Sequence, residues 1–276
     1  MSIKMIALDL DGTTLNSDGI MTEKTRETLN KADDNGIHVV VSTGRVYTAL
    51  PEQIFSVKGI RYAITSNGAQ ISDLAEKKLI YSDYLAPEAV RRAVEITKKY
   101  GFLVECFTGN IAYADEAFYN NIKENGCEFR NKDYVLKTRK PAKDICKLMT
   151  EHETEIENIN FFFESIDKLE EYRPIIEAIP NAMITSSFPN NLEVGGPGTC
   201  KRKALEALTK RLGVDRSELM CCGDAPNDIE MIKFAGVGVA MGNAWGDTKK
   251  YADYVTLTND EDGVAVAIEK FAFAND

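Results

Sequence analysis

The sequence predicts a doubly wound α/β core of mostly parallel strands, interrupted by an inserted α+β domain. Short, uninterrupted apolar runs alternate with helix-like segments over residues 1–83 and again over residues 196–276. Such runs are typical of strands covered on both faces, and their alternation with helices indicates parallel βαβ units. Over residues 84–195 the pattern changes to strands that pair through a tight turn. We therefore assign residues 1–83 and 196–276 to the core and residues 84–195 to an insertion.

The first block contains three predicted buried strands, at residues 3–9, 37–43 and 62–67. Helices are predicted between them, over residues 22–35 and 46–57. Thr22 is a residue type that caps helix N-termini, and Gly36 follows the first helix where a left-handed residue commonly ends it. This block therefore forms successive βα units.

The insertion begins with a predicted helix over residues 87–101, which has Pro87 in its first turn. Two strands, at residues 102–108 and 111–115, are predicted to pair around Gly109–Asn110. The remaining predicted elements of the insertion are strands at 159–165, 182–187 and 191–196 and a helix over 167–179.

The βα pattern resumes after Gly198. Strands are predicted at 219–223, 236–241 and 254–257. Helices are predicted over 199–212, near 226–235, near 245–251 and at the end of the chain. In this block we interpret Gly242–Asn243 as a tight turn.

The composition excludes several classes of protein. The 276 residues carry a formal net charge of −10, whereas binding to nucleic acid or to an anionic membrane requires dense positive charge. No secretory signal and no apolar run long enough to span a membrane is visible. The six cysteines show no C-x-x-C pair, so we expect free thiols in a reducing, cytoplasmic compartment.

The stretch ALDLDGTTLN, residues 7–16, places Asp9 and Asp11 at the end of the first apolar run. A calcium-binding EF-hand loop starting at Asp9 would need glycine and glutamate where Thr14 and Ile20 stand. An ordinary turn is the stronger alternative, because Asp-Gly is common in turns. The motif alone does not decide between a turn and a catalytic site.

Two further motifs favour a catalytic site. VSTGR (41–45) and CGDAPND (222–228) also follow predicted buried strands directly. Ligands of open α/β sheets bind at the carboxyl ends of the strands, so these motifs are expected to meet there. The four carboxylates of this edge would repel one another without a cation, and hard oxygen ligands favour Mg²⁺. They are Asp9, Asp11, Asp224 and Asp228.

The same edge carries groups suited to a phosphoryl group. In an extended strand end, Asp9 and Asp11 face one side while Leu10 points away, so one carboxylate can attack while the other transfers protons. The negative oxygens of a phosphoryl group need donors and cations. The Thr43 hydroxyl, the Gly44 N–H and the Lys201 ammonium supply them.

Four motifs resemble, in order and spacing, those of the haloacid dehalogenase superfamily of phosphatases. They are DLDGTTL (9–15), STGR (42–45), CKRKAL (200–205) and GDAPNDIEM (223–231). The insertion resembles a C2-type cap domain. TSNGA (65–69), VAMGNA (239–244) and NDEDGVA (259–265) resemble the Cof-type branch of this superfamily. The resemblance spans nearly the whole chain and implies a Rossmann-like core.

The resemblance implies a role for each matching residue. Asp9 matches the nucleophile that forms an aspartyl-phosphate, and Asp11 matches the general acid/base. The magnesium-site positions are Asp9, the Leu10–Asp11 segment and Asp224, with Asp228 as a ligand or a supporting residue. The phosphate-binding positions are Leu10, Thr43, Gly44, Lys201 and Asn227. Arg45 and Asn67 match positions that face the substrate or the cap, with a structural role as an equal alternative.

The sequence therefore predicts a magnesium-dependent phosphatase that acts on a small phosphorylated metabolite, such as a sugar phosphate or a cofactor phosphate. Two alternatives stay open at this point. A phosphomutase with a similar cap would return the phosphate to a second hydroxyl. A non-catalytic metabolite-binding protein on the same scaffold would lack turnover.

Overall fold

The computed structural model describes residues 2–126 and 132–273. The chain divides into two compact units. The first unit comprises Met1–Gly44, Pro51–Ser82 and Cys200–Asp276, and the second unit comprises Arg45–Leu50 and Asp83–Thr199. The structural division places residues 45–50, 83 and 196–199 in the second unit, whereas the ranges assigned from the sequence place them with the core.

The strands and helices follow one another along the described chain. The strands are β1 (Met5–Leu8), β2 (His38–Ser42), β3 (Ile60–Thr65), β4 (Gln70–Asp73), β5 (Lys78–Ser82), β6 (Leu103–Thr108), β7 (Ile111–Asp115), β8 (Arg139–Ala142), β9 (Ile156–Phe162), β10 (Met183–Thr185), β11 (Asn191–Gly195), β12 (Leu219–Gly223), β13 (Val237–Ala240) and β14 (Tyr254–Val255). The α-helices are α1 (Glu23–Asp34), α2 (Glu52–Ser56), α3 (Pro87–Tyr100), α4 (Glu116–Asn125), α5 (Lys132–Thr138), α6 (Ile145–Glu151), α7 (Ile166–Glu177), α8 (Lys201–Leu212), α9 (Ile229–Phe234) and α10 (Gly263–Ala272).

The first unit is built on an eight-stranded sheet with the order β14-β13-β12-β1-β2-β3-β4-β5. The strands from β14 to β3 pair in parallel, and β4 and β5 extend the sheet as an antiparallel edge. Met5 and Ala7 of β1 pack with α8 residues in one apolar cluster. Ile6 and Leu8 are equally buried and alternate to the opposite face. Both faces of β1 are therefore covered, which confirms the predicted mostly parallel α/β core.

Strand register determines which loops become neighbours. Leu8 at the end of β1 pairs with Val41 of β2 and with Cys222 of β12. The loops that follow these three parallel strands therefore emerge side by side at one edge of the sheet. This edge, which we call the carboxyl edge, carries the three motifs that the sequence analysis places there.

The second unit contains a six-stranded sheet with the order β10-β11-β9-β6-β7-β8, antiparallel except for the β7–β8 pair. Its apolar face packs against α3, α6 and α7. The predicted turn between β6 and β7 is present, and both Gly109 and Asn110 have positive φ values, 58° and 65°. This backbone is the reason why Gly and Asn suit the turn.

Several local predictions are confirmed. The Thr22 side chain accepts a hydrogen bond from the Thr25 N–H at the start of α1, and Gly36 follows that helix with φ 73°. The thiols of cysteines 106, 146, 200, 221 and 222 are free. Cys127 lies outside the described residues. Over residues 2–126 and 132–273, no helix is long and apolar enough to cross a membrane.

Several elements of the described chain were not predicted, among them β4, β5, α4, α5 and β8. β5 lies at the edge of its sheet and stays exposed or half-exposed along its length, so it lacks the apolar run that marks a central strand. β4 combines Ile71 with polar residues such as Gln70 and Asp73, all of them buried. Pairing with the neighbouring strand, which the local sequence does not reveal, therefore determines both strands.

Candidate active site

Lys201 begins α8 and is buried at the carboxyl edge, with 1% of its surface exposed. Its Nζ donates to Asp9 Oδ1 and to Asp228 Oδ1, each at 2.6 Å. Burial alone would lower the pKa of Lys201, but the carboxylates of Asp228 and Asp9 raise it above its ordinary value. The ammonium therefore stays charged in the interior.

The carboxylates outnumber this ammonium. One oxygen each of Asp9, Asp224 and Asp228 lies within 4.8 Å of the other two, and all three residues are buried. Burial and the neighbouring carboxylates raise the pKa of Asp9 well above its usual range, although Lys201 opposes this. Burial, followed by the charge of Asp228, raises the pKa of Asp224 to about 7. A divalent cation would relieve this repulsion, and three carboxylates are ligands that suit Mg²⁺.

Asp228 also fixes the loop after β12. Its Oδ2 accepts hydrogen bonds from the N–H groups of Asp224 and Ala225, both at 3.0 Å. Its Oδ1 is left for Lys201. One side chain thus holds the backbone at Asp224 and at the same time pairs with the buried cation.

The loop after β1 lies directly against Asp224. Gly12 has φ 75°, and a Cβ at this position would lie 2.5 Å from Asp224 Oδ2, so both the backbone angle and the space require glycine. The Thr13 hydroxyl donates to Asp224 Oδ1 at 2.8 Å. Gly12 and Thr13 therefore pack directly against the Asp224 carboxylate, although Asp224 lies more than two hundred positions later in the chain.

Asp11 is placed differently from Asp9. Its side chain is exposed and is not part of the buried group of three carboxylates. It is close enough that its charge contributes to raising the pKa of both Asp9 and Asp224. Leu10 between them is fully buried. The strand end therefore presents one buried and one solvent-facing carboxylate.

The loops after β2, β3 and β12 meet at Asn67. The Asn67 N–H donates to the Thr43 carbonyl at 3.0 Å, and Asn227 Nδ2 donates to Asn67 Oδ1 at 3.0 Å. A Cβ on Gly44 would lie 3.2 Å from Asn67 Oδ1, so this loop approaches closely. Asn227 Oδ1 is buried and has no hydrogen-bond partner among residues 2–126 and 132–273.

Backbone strain accompanies this meeting point. Ser66 and Asn67 are buried and have φ values of 50° and 57°, which non-glycine residues adopt at a cost. Such strain occurs often at functional sites.

Arg45, also predicted near the site, falls in the second unit. Its guanidinium donates to the Ala49 carbonyl, and its Cζ lies 4.9 Å from the centre of the Tyr134 ring.

A second group of buried polar residues lies on one face of the sheet in the second unit. We call it the polar face, and it consists of Glu105, Asn158, Asn160, Asn191 and Glu193. Glu105, Asn160 and Glu193 pair across three adjacent strands. The sequence analysis missed this group. Its signal was the alternation of asparagine with Ile159 and Phe161 along β9, which places the asparagines opposite the apolar face.

Most of the polar face is internally paired. Arg139, itself buried, donates to both carboxylate oxygens of Glu105 at 3.0–3.2 Å. Asn191 Nδ2 donates to Glu193 Oε1 at 2.9 Å. The exception is Asn158, which is 1% exposed and whose Oδ1 has no hydrogen-bond partner among the described residues. A buried, unpartnered amide oxygen is costly unless a ligand or water satisfies it.

The fold is an α/β fold whose carboxyl edge brings together three buried carboxylates and one buried lysine. The family model of haloacid dehalogenase-like hydrolases matches residues 6–268, and the chain belongs to this family. The predicted family and hydrolase class are thereby confirmed.

Three similar proteins extend this result. 5-Amino-6-(5-phospho-D-ribitylamino)uracil phosphatase YcsE of Bacillus subtilis is 35% identical, over 97% of this chain and 95% of its own length. Phosphatase YwpJ of the same organism is 32% identical, over 95% of this chain and 98% of its own. The solved structure of a haloacid dehalogenase-like hydrolase from B. subtilis has a TM-score of 0.83 and 31% identity, and the match covers 97% of this chain and 99% of that one.

Proposed function

We propose that the protein is a magnesium-dependent phosphatase that hydrolyses a small phosphorylated metabolite through an aspartyl-phosphate on Asp9. The observation that carries this proposal is the hydrogen bond between the buried Asp9 carboxylate and Lys201 at the carboxyl edge. A carboxylate held in this way beside a fixed cation is oriented for attack while the cation balances phosphate charge. The names of the similar phosphatases support the same reaction class.

Asp9 attacks phosphorus in line with the ester oxygen, and the P–O ester bond breaks. Asp11 gives a proton to the departing oxygen, then takes one from the water that hydrolyses the phospho-aspartate. The exposed position of Asp11 supports this role, because a proton carrier must exchange with solvent. Phosphate oxygens are bound by the Leu10 backbone, Thr43, Gly44 and Lys201 and by the N–H of the Asn227 side-chain amide, whose Nδ2 also donates to Asn67.

Asp9 and Asp224 would hold the metal ion, together with the Leu10–Asp11 segment that the family resemblance implies, and Asp228 would serve as a further ligand or as a supporting residue. Mg²⁺ would supply positive charge toward the phosphate oxygens. The excess of carboxylates over Lys201 and the raised pKa values of Asp9 and Asp224 support a cation at this place.

Residues 84–195 would serve as the cap domain that sets specificity. Within the second unit, the polar face is a candidate surface for binding a ligand, and the unpartnered Asn158 Oδ1 supports this assignment. Because Glu105 and Glu193 are acidic, the face favours an uncharged group rich in hydroxyl or N–H donors, such as a polyol or sugar. The predicted cytoplasmic location fits such metabolites.

The test is the release of inorganic phosphate from a chromogenic aryl phosphate, with Mg²⁺ and with Mg²⁺ removed by a chelator. We expect magnesium-dependent turnover that Asp9→Asn abolishes. Absence of turnover in the wild type, or full activity of Asp9→Asn, would contradict the mechanism. A screen of phosphorylated metabolites then identifies the substrate class, and phosphate exchange between hydroxyls without release would indicate a phosphomutase.

A further inference from the structure

Asn243 lies in the turn after β13, and its side chain is hydrogen-bonded in two directions. Its Nδ2 donates to the Gly12 carbonyl at 2.8 Å, and its Oδ1 accepts from the Asn259 N–H at 2.9 Å. The sequence analysis interprets Gly242–Asn243 only as a turn. The structure has a turn there and adds a side chain that reaches the loop carrying Asp11.

The Gly12 peptide is held from two sides. On one side the glycine fits against the Asp224 carboxylate with no room for a Cβ. On the other side its carbonyl accepts the hydrogen bond from Asn243. The Gly12 carbonyl is part of the peptide bond between Gly12 and Thr13, so this hydrogen bond fixes the backbone one residue after Asp11 and directly before Thr13, whose hydroxyl binds Asp224.

The segment that contains Asn243 also holds the loop of Asp224. The Trp245 N–H donates to the Asp224 carbonyl at 3.0 Å, and the Met241 N–H donates to the Gly223 carbonyl at 3.0 Å. Residues 241–245 therefore bind two loops. The Asn243 side chain binds the loop after β1, which carries Asp11, and the backbone binds the loop after β12, which carries Asp224.

We propose that Asn243 is a positioning residue that fixes Asp11 relative to Asp224, so that Asp11 can protonate the leaving oxygen. This inference rests on the proposed phosphatase function. Asn243 does not need to touch the substrate for this role, because it acts through the Gly12 peptide. Proton transfer depends strongly on such alignment.

Other contacts keep the loop folded when this bond is lost. Asn259 Nδ2 donates to the Leu15 carbonyl at 3.0 Å, and the Ser17 N–H and hydroxyl donate to the Asp260 carboxylate at 2.8 and 2.6 Å. Removal of the Asn243 amide therefore frees the Gly12–Thr13 peptide, one residue after Asp11, and leaves the rest of the loop anchored.

The experiment compares two substrates in the wild type and in Asn243→Ala. An alkyl phosphate needs a proton on its leaving oxygen, whereas p-nitrophenyl phosphate releases a stable anion. We expect kcat/KM to fall roughly ten- to hundredfold for the alkyl phosphate and about twofold or less for p-nitrophenyl phosphate. The ratio kcat/KM reports only the step that expels the leaving group, whereas kcat also contains the hydrolysis of the phospho-aspartate, in which Asp11 acts as base for both substrates. Asn243→Asp keeps the acceptor for Asn259 but has no donor for Gly12, so it should show the same selective loss.

Asn35→Ala is the matched control. Asn35 is also an exposed asparagine whose Nδ2 donates to a backbone carbonyl, that of Lys31 at 2.8 Å. It should leave both substrates unaffected. Equal losses on both substrates, or wild-type rates in both Asn243 variants, would overturn the inference while the phosphatase proposal stands. A wild type that hydrolyses neither substrate would refute the phosphatase proposal and, with it, the role of Asn243.

Discussion

The carboxyl edge of the first unit and the polar face of the second unit both bury carboxylates, but they balance the charge differently. At the carboxyl edge, Asp9, Asp224 and Asp228 surround the single ammonium of Lys201. On the polar face, Arg139 binds both oxygens of Glu105. The first site has three buried carboxylates and one ammonium and suits a cation with a phosphate. The second has two buried carboxylates, Glu105 and Glu193, and one guanidinium, and it suits an uncharged group that donates hydrogen bonds.

We expect the largest effect from removing the Lys201 ammonium at the carboxyl edge. Lys201→Met leaves Asp9 and Asp228 buried without their partner, so we expect phosphatase activity to fall by roughly a thousandfold. The variant should also lose about 3–5 kcal/mol of unfolding free energy without added metal, as is typical of broken buried ion pairs. Lys210→Met, an exposed lysine of the same helix, is the control. Near-normal activity of Lys201→Met would contradict the assigned role.

The matching change on the polar face should affect stability but not the chemical step. Arg139→Met leaves Glu105 buried and unpaired, which should cost about 3–5 kcal/mol in chemical denaturation. Turnover of a minimal aryl phosphate should persist in the folded variant. The double variant Arg139→Met/Glu105→Gln should recover part of the loss. A double variant no more stable than the single one would show that the pair is not the cause.

Metal affinity should depend on pH at the carboxyl edge. Because the pKa of Asp224 is raised to about 7, a proton occupies it below that pH and must leave before a cation binds. Mg²⁺ affinity should therefore be nearly constant above about pH 7 and fall by about tenfold per pH unit below it. Calorimetric titration between pH 8 and pH 5.5 measures this. A flat profile would mean that the carboxylates do not bind the metal.

The smallest effect concerns recognition on the polar face. Asn158→Leu removes the unpartnered amide, so KM for a preferred polyol or sugar phosphate should rise by about tenfold, as for the loss of one buried hydrogen bond to a ligand. KM and kcat for a minimal aryl phosphate should not change. Thr150→Val, at an exposed position of α6 on the opposite, apolar side of the same sheet, serves as the control. Equal KM increases for both substrates would argue against binding at this face.

Sequence and structure agree best where local signals are strong. The end of β1, the loop after β2 and the loop after β12 could be predicted to meet, because parallel strands place their carboxyl ends at one edge. The pairing of Asp228 with Lys201, the exposure of Asp11 and the bond from Asn243 to Gly12 could not, since each depends on side-chain packing between distant segments. The polar face was missed because asparagines that alternate with apolar residues in a strand are typical of a solvent-exposed face. The local sequence does not reveal that this face is buried as well.

The central claim is a covalent phosphoryl group on Asp9. The most direct measurement is peptide mass spectrometry of the Asp11→Asn variant, quenched in acid after one turnover of p-nitrophenyl phosphate. This variant keeps the nucleophile, needs no acid for this leaving group and lacks the base that hydrolyses the intermediate. We expect one phosphate on the peptide that contains Asp9, and none when Asp9→Asn is added. Release of p-nitrophenol with no phosphate on that peptide, or with phosphate on another residue, would contradict the account.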